Sequence, residues 1–152
     1  MLQEAIDLQR NKVSELVRIV NEKNEVTFRA PTGSGKTRMM ADFMNRILAK
    51  NSDVVFLVSS LSKGDLAEQN YNQFKECSDE NIFPNLNPYM VSSESSNEER
   101  LFIPEDYNVY VLPRDLYKDK SKLKDGGVLL NFLQQMTLPL FGKGNCKKIW
   151  LF

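Results

Sequence analysis

Residues 30–37, Ala-Pro-Thr-Gly-Ser-Gly-Lys-Thr, are the stretch on which the fold turns. They fit the Walker A pattern, with Ala30 in the place of the first glycine and Gly35-Lys36-Thr37 closing the match. Gly33 and Gly35 accept backbone angles that other residues resist, and leave no Cβ between the main chain and a ligand. Successive N–H groups then turn inward as an anion nest, and a helix opening at Lys36 adds its positive end. In this pattern Thr32, Gly33, Ser34 and Gly35 cradle phosphates, Lys36 reaches the β- and γ-phosphates, and the Thr37 hydroxyl takes Mg²⁺. The stretch therefore reads as a phosphate-binding loop.

The flanks agree with such a loop. Val26, Phe28 and Ala30 alternate with Thr27 and Arg29, which predicts a short strand over residues 26–30. After the loop, Met39, Met40, Phe43, Met44, Ile47 and Leu48 recur at helical spacing. Asp53 then introduces the continuous apolar run Val54 to Val58, ending in Ser59-Ser60; such runs mark strands buried on both faces of a parallel sheet. Strand, helix and strand make a βαβ unit, so the fold class is α/β with a mostly parallel sheet.

Upstream, residues 2–20 read as an amphipathic helix, with Leu2, Ile6, Val13, Leu16, Val17 and Val20 on one side. Downstream, a helix is predicted over residues 65–76, with Leu66, Ala67, Asn70, Tyr71 and Phe74 facing inward. Short strands follow at residues 89–91 and 107–112, separated by the acidic, aperiodic run SSESSNEER at residues 92–100. Lys118, Lys120, Lys122 and Lys124 punctuate a polar loop that either is simply solvated or faces nucleic acid. Residues 128–136 predict another helix, and the sequence closes on the apolar run Ile149 to Phe152.

At 152 residues with 41% hydrophobic content, the chain holds one domain with a real core. Formal charge is zero, so no global basic field announces nucleic acid, although a local binding surface is compatible with that balance. The absence of histidine rules out histidine acid–base catalysis, and Cys77 and Cys146 stand too far apart in sequence for a CxxC metal pair. With neither a signal peptide nor a membrane-length apolar run, the sequence points to a cytoplasmic protein with no membrane partner.

APTGSGKT, followed by FLVSSLSKGDLAEQNYNQF, resembles the first motor motifs of superfamily 2 DEAD/DEAH-type helicases. Within that group the sequence is most similar to the helicase subunit of type III restriction enzymes. The likeness runs from LQEAI to KKIWLF and is strongest at the phosphate loop. The resemblance implies a RecA-like P-loop NTPase domain over residues 1–152, incomplete at its C-terminus, with ATP and Mg²⁺ as cofactors. Gln3 occupies the place of the glutamine that reads adenine, or is an ordinary exposed helix residue. Ser59, Ser60, Lys63 and Gln69 match the segment that contacts the nucleic-acid backbone, a role suited to hydroxyls, a lysine and a helix N-terminus. Strand-end capping is the alternative for the two serines.

In the family, the strand resembling KKIWLF runs into a DEAD- or DEAH-type acidic motif, which these residues do not include. The resemblance therefore implies a fragment of a first motor domain, with Lys36 and Thr37 the only contributors to catalysis it holds. Two readings stay open: part of an ATP-driven DNA helicase or translocase, or a non-catalytic nucleotide-binding remnant. A small-molecule kinase fits less well, since Arg100 and Arg114 are the only arginines after Arg46 to build a lid. The implied partners are double-stranded DNA and a modification (methyltransferase) subunit. Because the family's strand after the acidic motif inserts beside the phosphate-loop strand, residues 26–30 are expected to lack one neighbour. Either the sheet closes across that gap, or an edge stays open and the fold is marginal in stability.

Overall fold

The computed structural model describes residues 2–59, 65–91, 106–113 and 148–151. The expectations placed on Ser60, Lys63, the acidic run 92–100, the lysines between 118 and 124, and the helix over 128–136 lie outside the described residues. The described elements fall into two compact units, one of residues 1–52 with 73–86 and one of residues 53–72 with 87–152.

In the first unit, α1 (Gln3–Val20) and α2 (Lys36–Lys50) pack together. Apolar residues at helical spacing explain both helices. Met39, Ala41, Phe43, Met44 and Ile47 of α2 are buried, as is Val13 of α1. Leu2 departs from its predicted inward side: it caps the start of α1 and is 78% exposed. The end of α3 (Leu66–Asp79) also belongs here and buries Phe74 and Cys77. Asn81 then takes a left-handed φ of 59°, a conformation asparagine tolerates, and the N–H groups of Ile82 and Phe83 both return to the Cys77 carbonyl at 2.9 Å. Ser78 Oγ donates to the Leu86 carbonyl at 2.6 Å and closes this turn.

The second unit is built on a four-stranded sheet in the order β2-β3-β1-β4, comprising β1 (Val54–Ser59), β2 (Pro88–Met90), β3 (Val109–Leu112) and β4 (Lys148–Leu151). Every pair is parallel: Phe56 lies opposite Val109 and Trp150, and Tyr89 lies opposite Tyr110. Val54 to Val58 are all buried, as the unbroken apolar run predicts for a central strand. The first half of α3 buries Ala67 and Asn70; Leu66 is 39% exposed, because the first residue of the helix precedes its inward face.

One predicted element is absent. Residues 26–30 form no strand and pair with none of the four. Alternation supplied the right side chains, but no described strand lies where their N–H and C=O groups could be matched. Among the described residues the sheet does not close across the expected gap: β4 pairs with β1 and residues 26–30 stay outside the ladder.

Candidate functional site

The site lies within the first unit, at the junction of residues 30–37 with α2. Ser34 N–H donates to the Pro31 carbonyl at 3.2 Å and tightens the loop. Gly33 and Gly35 adopt φ of 81° and 80°, the left-handed values that a residue with a Cβ resists. Gly35 is the N-cap of α2, its carbonyl accepting the first helical bond from Met39 N–H at 2.9 Å. No side chain caps this helix end, and its first turn contains no acidic residue. The positive end of the helix dipole therefore faces the loop with no acidic side chain of the first turn to neutralise it.

Two further observations point the same way. Ser34 Oγ is buried without a hydrogen-bond partner, a state that costs on the order of 1–3 kcal/mol unless a ligand satisfies it. Lys36 is exposed, and among the described residues no carboxylate pairs with it. A buried orphan hydroxyl, an uncapped helix end and an uncommitted ammonium together fit an anion with several acceptor oxygens. Thr37, half-buried in the first turn of α2, stands next to Lys36 where a hydroxyl for a divalent ion is expected.

Gln9 was not singled out by the sequence, yet it is the α1 residue that reaches the loop. Its Nε2 donates to the Ser34 carbonyl at 2.9 Å, and a Cβ built on Gly35 would stand 2.5 Å from that nitrogen. The signal that could have found it was a polar glutamine on the otherwise apolar approach of α1 to α2. Gln3 lies six residues earlier, about 9 Å back along the helix axis. It is exposed and donates to Asp7 Oδ1 at 3.0 Å.

Beside the loop a cavity of about 340 Å³ opens between α1, the first turns of α2 and the turn after α3. Ile6, Gln9, Met39 and Phe83 contribute to its walls, with Arg38 and Asn45 as polar groups. The Arg38 guanidinium lies 5.6 Å from the Phe83 ring centroid, an arrangement that presents a flat, cationic surface. Asn45 Oδ1 accepts from Asn85 N–H at 3.0 Å and ties that turn to α2. Deeper, burial pushes the Cys77 thiol above its ordinary pKa, against the lowering effect of Arg38. Cys77 is an inert core group here rather than a nucleophile.

The nucleic-acid candidates fall in the second unit. Ser59 ends β1 and is half-buried, and Gln69 is exposed in the first turn of α3.

The family profile described as type III restriction enzyme, res subunit, matches residues 3–129, well over half of the chain. The chain belongs to this family. Its domain is a RecA-like P-loop fold, and the parallel sheet with its helices is an incomplete version of that α/β architecture. The match makes residues 3–129 part of a helicase-like ATP-binding region. Helicases of the family are ATP-dependent, typically with Mg²⁺, and bind nucleic acid. No curated protein and no solved structure matches the chain. Among the described residues no helix is long and apolar enough to cross a membrane, and no cluster of His, Cys, Asp or Glu could hold a metal ion.

Proposed function

We propose that this chain is the ATP-binding front portion of the first motor domain of a cytoplasmic DNA helicase or translocase, of the kind that drives type III restriction. The observation that carries the reading is the uncapped α2 terminus with the buried, unpartnered Ser34 hydroxyl beside it. The N–H groups of Gly33, Gly35 and Lys36 and the Ser34 hydroxyl hold the triphosphate, the Lys36 ammonium neutralises its outer charge, and Thr37 binds the Mg²⁺. The base lies in the cavity lined by Ile6, Gln9, Arg38 and Phe83, where a flat aromatic heterocycle fits a cationic platform. Gln9, bound to the loop, is better placed than Gln3 to meet an adenine there.

Ser59 and Gln69, with Ser60 and Lys63 from the same segment, contact the backbone of double-stranded DNA without reading its sequence. A methyltransferase subunit supplies site recognition. Phosphoryl transfer rests on charge stabilisation and on orientation of the attacking water, to which Lys36 and Thr37 contribute at the phosphate end.

Titration with a fluorescent ATP analogue tests the reading. Lys36→Ala should cost on the order of 2–3 kcal/mol, as for the loss of a charge-assisted hydrogen bond. Equal affinities for the two proteins would remove the phosphate loop from the function.

A further inference from the structure

Nine residues beyond Thr37, Arg46 links α2 to α1 through its guanidinium. Its Nε and Nη2 grip Asp42 Oδ1 and Oδ2 at 2.8 and 2.9 Å, a two-pronged pair that sets the plane of the group on α2. The remaining arm crosses to α1, where Nη1 donates to Ser14 Oγ at 2.7 Å and Nη2 makes a longer contact of 3.5 Å with the Arg10 carbonyl. Ser14 Oγ itself donates to that carbonyl at 2.9 Å, so its single proton is committed and its lone pairs face Arg46. Arg10 is the residue next to Gln9. The clamp therefore fixes the turn of α1 that delivers Gln9 to the Ser34 carbonyl.

That delivery has a consequence for the loop. The chain has no cis peptide among its described residues, so the carbonyl of Ser34 and the N–H of Gly35 point in opposite directions across one plane. With the carbonyl held toward α1 by Gln9, the Gly35 N–H points away from α1. Left unheld, the 34–35 peptide can rotate more readily than most, since Gly35 on its far side has access to backbone angles that other residues resist.

We propose that Arg46 is a positioning residue for nucleotide binding: through Asp42 and Ser14 it seats Gln9, and Gln9 orients the 34–35 peptide so that its N–H meets the phosphates. This rests on the phosphate-loop reading above.

The test is a double-mutant cycle on MgATP affinity in the 152-residue chain, with Gln9→Ala and Arg46→Ala singly and together. Each single change should weaken binding about five- to tenfold, the worth of one oriented hydrogen bond, and the pair should be no worse than the single changes within about twofold. Ser14→Ala, which removes the hydroxyl that accepts from Arg46 Nη1 and leaves the longer contact with the Arg10 carbonyl, should weaken binding about threefold and keep the Arg46–Asp42 pair, and it carries the test if Arg46→Ala does not fold. A merely structural arginine would give losses that multiply, or a lower melting temperature with unchanged affinity; either overturns the proposal. If Lys36→Ala binds as well as the unaltered chain, the phosphate-loop reading fails first and the positioning role fails with it. Loss at Lys36 with multiplying losses at Gln9 and Arg46 sinks the positioning role alone.

Discussion

β1 and residues 26–30 start from similar material and end differently. Both are short, rich in β-branched or aromatic residues, and followed by small polar groups. β1 has a parallel neighbour on each side, and Val54 to Val58 are all buried. Residues 26–30 have no ladder partner among the described residues; Val26 and Ala30 are half-buried, and Phe28 is 41% exposed. A strand is a property of a pairing, and propensity in one segment only makes that segment available for it. Where the neighbour is missing, the same alternation yields an extended lead into a loop.

The largest test of that contrast is a pair of truncations. Phe56→Ala, at a fully buried position in the central strand, should cost about 3–5 kcal/mol in urea unfolding. Phe28→Ala should cost less than half as much, because its side chain is already 41% exposed. Comparable losses at the two sites would break the comparison. Amide exchange sharpens it backbone group by backbone group. Phe56 N–H, bonded to the Asn108 carbonyl at 2.8 Å, should exchange only on opening of the sheet, while residues 27–30 should exchange near the rate of an unstructured chain. Slow exchange at Phe28 would reveal a partner for this segment. The smallest effect is on Cys77. Burial holds its thiol neutral in the folded protein, so its contribution is constant below the unfolded thiol's value of about 8.5. Above that pH the unfolded state gains by ionising, and stability should fall with rising pH until the folded thiol ionises as well. A Cys77→Ala chain with the same alkaline slope would place the cause elsewhere.

The helices and the buried strand were legible in the sequence because each is specified by its own periodicity. Met39, Phe43, Met44 and Ile47 announce α2 without reference to anything distant, and Val54 to Val58 announce a strand covered on both faces. The turn at residues 33–35 was legible for the same reason, since its glycines answer a local demand for left-handed angles. What was not legible depends on contacts between elements. Gln9, Arg46, Asp42 and Ser14 are unremarkable polar residues until α1 and α2 are laid together, and Phe83 becomes a platform only when the turn at Asn81 carries it under Arg38. Leu2 and Leu66 erred for a related reason, since helical periodicity does not say where along its length a helix meets its neighbour.

The two loop glycines differ in what surrounds them, and this bears on how a mutational scan of the loop should be interpreted. A side chain at Gly33 would meet nothing within 4 Å, so changing it tests backbone angle alone. A side chain at Gly35 would also evict Gln9 from Ser34. A library scored for growth would mark both positions as intolerant, for different reasons, and intolerance at Gly35 would say nothing specific about phosphate. Gly33→Ala is the cleaner reporter of the anion nest, and Gly35→Ala in a chain already carrying Gln9→Ala recovers the same information at the second position.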